Sequence, residues 1–332
     1  MATTSDVLLL REPEIRGVLD MASCIDAVEA AFADYSGGRA ELPGVIHLDV
    51  PEHRGEIHVK AGHIHGKPYY AAKFSSGFSA MDPPAFDGLV AVFDAANGAP
   101  AAILLDHGHV TDVRTGAAGG VAARHLAPRD PEVVALIGTG TQARYQLDAL
   151  AHVRSFREVR VWGRNRQRAE ACARDLADRP GLPERCAVEP VPTVEEAVRD
   201  ADVVITCTAS SEPLLEAAWL KAGAHVTALG SDAPHKHELA VGVLAAADLL
   251  VCDSVAQCAT IGELHHAIEA GVLDEGRAVE LGEIASGRLP GRTSAEQLTV
   301  CDLTGVGVQD VAASLLVMER AVARGLGKRL RV

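Results

Sequence analysis

The stretch 132–146, EVVALIGTGTQARYQ, limits most strongly what this chain can fold into. Val133 to Ile137 form a continuous apolar run of strand length, which stops at Gly138, Gly140 and Ala143 with the spacing G-x-G-x-x-A. That is the dinucleotide-binding turn with alanine as its third small residue. Gly138 permits the tight turn, Gly140 lets backbone approach a pyrophosphate, and Ala143 lets a helix lie close on the strand. With Thr139, Thr141 and Gln142 they make a candidate cofactor-binding segment, in which a helix N-terminus offers free N–H groups and a positive dipole end to phosphate. The alternative is an ordinary strand-to-helix turn.

The flanking rhythm supports a nucleotide fold. Strands are expected at 132–137, 158–162, 185–189, 202–206, 224–229 and 248–252, with helices between them, and a last strand at 298–302 after a helical region around 261–270. Such alternation means a parallel sheet covered on both faces. The preceding chain differs. Residues 21–35 carry apolar side chains at helical spacing, stopped by Gly37-Gly38. Strand-like segments follow at 44–50, 56–61, 69–74, 89–94 and 101–106, the last two separated by the hairpin signal Asn97-Gly98. A mostly antiparallel sheet is expected there, then a small-residue helix over 111–126 joining two domains. The expected fold class is therefore α/β: a Rossmann-type doubly wound sheet over 116–307 and an α+β domain over 1–115, to which an amphipathic helix over 308–325 can return, so that 308–332 join it.

A net charge of −14 argues against a nucleic-acid surface. Apolar residues make up 48% and charged residues 23%, a globular balance. The first residues lack the pattern of a signal peptide, no stretch has the length of a membrane helix, and the seven cysteines are scattered without a C-x-x-C pair. A cytoplasmic protein with reduced thiols and no membrane partner is expected. Cys207 and Cys301 lie in apolar strand contexts and read as core.

An NAD site has a carboxylate at the end of its second strand to accept from the ribose hydroxyls. Here that strand runs into Gly163-Arg164-Asn165-Arg166. Arginine suits a 2′-phosphate, so among NAD(P)(H) the reading favours NADP(H) slightly, with Arg164 and Asn165 as candidate contacts. The alternative makes the arginines solvated charges opening a helix.

Several segments together resemble the ornithine cyclodeaminase/μ-crystallin family: Tyr70-Ala71-Ala72-Lys73, the run from Val110 to Ala118, the glycine turn, Ala228-Leu229-Gly230-Ser231-Asp232 with Lys236 and Glu238, and Asp302-Leu303-Thr304-Gly305 followed by Gln309-Asp310. The wording of 55–60, 230–236 and 262–266 is most similar to the branch found with ectoine utilisation. The resemblance implies a homodimer acting on a small amino or imino acid, in which the first region and the last helix form a substrate and dimerisation domain. It implies hydride transfer at a Cα–N bond, as in imine reductases and amino acid dehydrogenases. Alternatives within the family are cyclodeamination with release of ammonia, and non-catalytic NADPH-dependent binding.

The resemblance also distributes roles. Lys73, in an otherwise apolar strand, matches the family's catalytic lysine; its alternative is a snorkelling strand-end residue. Arg114 matches the arginine that holds the substrate carboxylate, the alternative being a salt bridge to Asp112 or another acid, and Lys60 matches a second basic position near the substrate. Thr115, Thr208 and Ser231 are expected at the cofactor. Asp232 matches a general base, with an N-cap as its alternative, while Lys236 and Glu238 either orient it or pair with each other. Family members often carry an arginine after the proline matching Pro43, but here Gly44, Val45, Ile46 and His47 follow. That departure puts ornithine itself in doubt. The pairs His63/His65, His107/His109, His235/His237 and His265-His266 invite a metal site, yet none has a cysteine or carboxylate at an established motif spacing, so no metal is expected. Lining of a polar pocket by His47, His63 or His235 is the expected local role.

Overall fold

The computed structural model describes residues 6–78, 80–81 and 85–331. They form two compact units, one running up to Arg114 and resuming at Val306, the other comprising Thr115–Gly305.

The first unit opens with β1 (Asp6–Arg11), α1 (Glu12–Arg16) and α2 (Met21–Ser36), the last capped by Asp20 through Ser23 N–H. Then come β2 (Ala40–Glu41), β3 (Ile46–Val50), β4 (Gly55–Ile64), β5 (Tyr69–Phe78), β6 (Ala85–Asp94) and β7 (Pro100–Leu105), followed by α3 (His109–Leu126), within which the boundary between units falls. Strand order is β1-β7-β6-β5-β4-β2 with β3 also on β4, and every pairing is antiparallel except β1 with β7. Neither β1 nor the parallel pairing it makes is expected from the sequence. The apolar run from Val7 to Leu10 is short and flanked by charge, and its partner Leu104 lies far along the chain, where local pattern has no reach.

The second unit alternates as its periodicity requires: β8 (Val133–Ile137), α4 (Thr141–Val153), β9 (Glu158–Trp162), α5 (Arg166–Ala177), β10 (Ala187–Pro190), α6 (Val194–Val198), β11 (Val203–Thr206), β12 (His225–Ala228), α7 (Val241–Ala246), β13 (Leu249–Cys252), α8 (Val255–Ile261), α9 (Glu263–Glu269), β14 (Ala278–Glu280), α10 (Leu281–Ala285) and β15 (Thr299–Asp302). All pairs are parallel, in the order β10-β9-β8-β11-β12-β15-β13-β14. The order reverses between β8 and β11, the switch point outside whose carboxyl ends ligands of such sheets bind. The fold is the α/β class with a Rossmann-type doubly wound sheet.

The chain then returns to the first unit with α11 (Gly307–Ala323) and β16 (Lys328–Arg331), an edge strand on β1. Its lysine and arginines leave no alternation to read, yet they suit an edge, where charge discourages further pairing. α11 packs on α2 and lies over β4 and β5. Gly307 permits this approach, since a Cβ there would run into the Ala61 carbonyl oxygen of β4.

Buried carboxyls gather at the carboxyl end of the second sheet. Glu263 accepts from the N–H groups of Glu238 and Leu239 at 2.7 and 3.1 Å, and Asp302 from that of Leu264 at 2.9 Å. No lysine or arginine pairs with Glu238, Glu263 or Asp302 among the described residues. Burial, then repulsion from Asp302, pushes Glu263 up to about 9, and burial with repulsion from Asp253 pushes Asp302 up to about 7. A carboxyl raised on folding contributes stability that is fully present below its ordinary value and is lost as pH climbs through the raised one. Thermal unfolding followed from pH 6 to 9.5 is therefore expected to show a Tm that falls with pH. Glu263→Gln should have the lower Tm at pH 6 and the shallower decline; a decline equal to the parent's would contradict this origin.

Candidate functional site

Two sets of groups stand out, one in each unit. In the second unit, Gly138 leaves β8 with φ +134°, a conformation suited to glycine, and a Cβ there would lie 2.6 Å from Cys207 Sγ and 2.7 Å from its carbonyl oxygen. Gly140 caps α4 with no side-chain hydrogen bond, and nothing lies within 4 Å of the place its Cβ would occupy. The first turn of a thirteen-residue helix thus opens beside a bare backbone surface, the environment a pyrophosphate needs. Arg144 braces the turn, donating to the Thr139 and Gly140 carbonyls at 2.7 and 3.1 Å while pairing with Asp175. Thr139 and Gln142 are half-buried, Thr141 is exposed, and Ala143 is buried against the strand.

Cys207 and Thr208 follow β11, and Ser231 and Asp232 follow β12, so these residues and Gly138 emerge from the carboxyl ends of three adjacent strands. Glu238 fastens these loops by accepting from Thr206 Oγ1, from the N–H and Oγ1 of Thr208, and from Gly230 N–H, at 2.6 to 2.8 Å. It does not pair with Lys236: Lys236 Nζ meets Asp232 Oδ1 at 2.6 Å instead. No helix begins after Asp232, so the N-cap reading of that residue fails. Ser231 Oγ donates to the Lys236 carbonyl, and Thr115 O accepts from Gln146 Nε2 at 2.8 Å. Arg164 is exposed and makes no ion pair among the described residues, while Asn165 caps α5 by accepting from Arg168 N–H.

In the first unit, Lys60 on β4 and Lys73 on β5 are direct cross-strand partners, so they share the sheet face that α11 covers. Lys73 is mid-strand and 2% exposed, which removes the snorkelling alternative; Arg114 is 4% and Lys60 9% exposed. One carboxylate serves two of these cations: Asp310 Oδ1 takes Lys73 Nζ at 3.1 Å and Arg114 Nε at 3.0 Å. Arg114 Nη1 donates to Gln309 Oε1 at 2.8 Å, whereas Nη2 makes no hydrogen bond among the described residues. The acid that Arg114 meets is thus Asp310 and not Asp112. Burial, then repulsion from Arg114, brings Lys73 down to about 7 against the pull of Asp310. Burial works to raise Asp310, but Arg114, Lys73 and Lys60 together hold it below its ordinary value. Asp106, after β7, is raised by burial to about 6. Gln309 Nε2 and Asp310 Oδ2 are buried without hydrogen-bond partners among the described residues, each a cost on the order of 1–3 kcal/mol. Chemically, this cluster can hold a carboxylate and exchange a proton near neutrality.

Asp310 and Asp106 are absent from the set expected from sequence. A signal for Asp310 did exist: with Ser314, Val317 and Ala321 it falls at helical spacing on the buried stripe of α11, where a charge needs a partner. Of the three histidines expected at a polar pocket, two lie at the surface. His47 and His235 are exposed, His47 between His58 and Asp49, while His63 Nε2 is buried without a hydrogen bond. His266 stacks on His237 with ring centroids 3.9 Å apart and donates from Nε2 to the Lys236 carbonyl.

A family model described as the ornithine cyclodeaminase/mu-crystallin family matches residues 5–325. A Rhizobium meliloti protein provisionally described as a dehydrogenase is 42% identical over 96% of this chain and 97% of its own length. Among solved structures, an archaeal alanine dehydrogenase dimer with bound NAD superimposes with a TM-score of 0.90 at 32% identity, covering 98% of this chain and 99% of that one. The Thermococcus litoralis Δ1-pyrroline-2-carboxylate reductase in complex with NADH and L-proline gives 0.91 at 28% identity, covering 98% and 100%. Gly138→Ala is expected to lower unfolding free energy by about 1–3 kcal/mol through backbone strain and the Cys207 clash; a denaturation midpoint equal to the parent's would refute the close approach.

Proposed function

The chain belongs to the ornithine cyclodeaminase/mu-crystallin family, and on that premise we propose that it transfers hydride at the Cα–N bond of a small α-amino or α-imino acid, as an imine reductase or amino acid dehydrogenase. The observation that carries this reading is the buried cluster of Lys73 and Arg114, whose guanidinium keeps Nη2 without a hydrogen bond among the described residues while Asp310 and Gln309 fix its other edges. A carboxylate on Arg114 orients the α-carbon, and Lys73 exchanges a proton with the substrate nitrogen. Lys60 adds charge for the carboxylate, and Asp232 handles protons on the amine or on water.

The bare turn at Gly138 and Gly140, with Thr139, Thr141 and Gln142, would hold the pyrophosphate of a nicotinamide nucleotide, with Thr115, Thr208 and Ser231 contributing further contacts. When bound, that nucleotide supplies or accepts hydride. Arg164 supports NADP(H) over NAD(H), because its charge is exposed just after β9 with no acid paired to it among the described residues. Arg164→Ala is expected to raise the NADPH dissociation constant roughly tenfold or more, the worth of a charge-assisted contact, and to leave that for NADH within twofold; equal changes would refute the assignment.

The outer face of the first sheet supports a homodimer. Ile46, Leu48 and Phe74 are 62%, 58% and 46% exposed there, in register with Val59, Ile57 and Leu89 on the face opposite Lys60 and Lys73. A second copy would cover it, so Leu48→Asp should shift the mass in solution from dimer to monomer.

Activity is tested by supplying reduced nucleotide with Δ1-pyrroline-2-carboxylate, or with a keto acid plus ammonium, and following loss of absorbance. The resemblance to the ectoine-utilisation branch makes 2,4-diaminobutyrate the first amine to try in reverse. Lys73→Met should cost about 10²–10⁴ in kcat/KM. Reduction, which needs Lys73 protonated, should decline as pH rises through about 7, and oxidation should increase over the same interval. Ammonia release from a diamino acid without net change in reduced nucleotide would replace this reading with cyclodeamination; tight NADPH binding without turnover of any amino or imino acid would replace it with a binding role.

A further inference from the structure

The last helix carries two residues that enter the reaction only as neighbours of Arg114, with no step of their own. Gln309 and Asp310 occupy the first turn of α11, both buried, and both face the pair of basic residues on which substrate binding depends. We propose that the Gln309-Asp310 pair is the positioning device of the substrate site, Asp310 fixing Lys73 and Arg114 relative to one another through a single shared oxygen and Gln309 fixing the plane of the Arg114 guanidinium. This inference rests on the functional reading just given and deepens it.

The geometry makes the case. A guanidinium donates in a rigid plane, so acceptors on Nε and Nη1 fix its orientation and leave Nη2 for a ligand. Lys73 has a flexible stem and three rotatable donors, and by itself would not hold one direction; Asp310 Oδ1 at 3.1 Å fixes one of them. The charged groups acting on Lys73 are Lys60 from β4, Arg114 from α3 and Asp310 from α11, with Asp106 after β7 in turn influenced by Lys73; Cys24 on α2, which feels the charges of Arg114 and Asp310, is pushed up to about 12 by burial and so stays neutral. Lys60 and Arg114 oppose a proton on Lys73. Asp310 is the anion bonded to it, and favours the proton. Without that carboxylate, two cations act on Lys73 with no ion pair to offset them, and proton exchange moves to lower pH.

The pair also has spare capacity. Asp310 Oδ2 and Gln309 Nε2 are buried with no hydrogen-bond partner among the described residues, an uncommon state for a buried acceptor and a buried donor in adjacent residues. A structural ion pair selected for stability alone would have no reason to leave both unsatisfied.

The test follows Lys73 directly. Protein labelled with ¹³C at lysine Cε is titrated by NMR, the Lys73 resonance being assigned by its loss in Lys73→Met. In Asp310→Asn the titration midpoint should fall by at least one pH unit, about a tenfold loss of proton affinity, and Asp310→Glu should restore most of it. A midpoint that does not move in folded Asp310→Asn, with nucleotide affinity intact, overturns the proposal. Should Asp310→Asn not fold, Gln309→Leu carries the test: KM for the imino acid should rise tenfold or more with kcat within about threefold, and Gln309→Glu should reverse this, whereas an unchanged KM overturns the proposal. Absence of any imino or amino acid turnover by the unaltered protein would instead defeat the functional reading, while the Lys73 titration would still decide the role of Asp310.

Discussion

A single carboxylate oxygen buried between an ammonium and a guanidinium is the interaction on which the first unit turns. Putting Lys73 and Arg114 out of reach of water would be prohibitive for isolated charges, and Asp310 makes it tolerable by meeting both. The rest of that unit can be understood as the scaffold for this meeting. Antiparallel β4 and β5 set Lys60 opposite Lys73, α3 delivers Arg114, and α11 comes close enough to the sheet to insert Asp310 only because position 307 has no side chain. The ion triplet still leaves net positive charge in a dry place, the environment an organic carboxylate can complete.

The second unit solves a different problem with backbone instead of side chains. Its helix N-terminus and the left-handed glycine at 138 offer N–H groups, and the acids nearby are occupied in tying loops to strand ends: Glu238 to three neighbours, Glu263 to Glu238 and Leu239. Their role is geometric. Burial without a basic partner is the cost of holding strand-end loops rigid from inside the protein, and it makes this region the acid-sensing counterpart of the lysine cluster in the other unit.

Much of this was legible beforehand, for physical reasons. The strand and helix alternation after residue 132 and the small-residue turn depend on local periodicity and backbone sterics, which a linear pattern records faithfully. The parallel pairing of β1 with β7 and the edge strand β16 do not, because a four-residue apolar run and a basic tail acquire strand form from partners remote in sequence. Lys73 stood out as a charge in an apolar strand, whereas Arg114 stood out only through the resemblance to a family motif. Asp310 stood in a helix that read as amphipathic, and its significance lay in which side of that helix faced the sheet. Glu238 could be seen but not interpreted: nothing in the order of residues distinguishes a carboxylate that pairs with Lys236 from one that ties Thr206, Thr208 and Gly230 together.

The closing of the first unit by α11 and β16 has a consequence for synthesis on the ribosome. Arg114 and Asp310 are separated by 196 positions, so at roughly 5–20 residues per second about 10–40 s pass between translation of the cation and of its counter-ion. During that interval the nascent sheet lacks its covering helix and one edge strand, while the whole intervening Rossmann unit has time to fold. On that schedule Lys73 and Arg114 would stay hydrated until α11 is made, so a chain released before α11 would carry the residues of the nucleotide fold but lack the counter-ion of the substrate half.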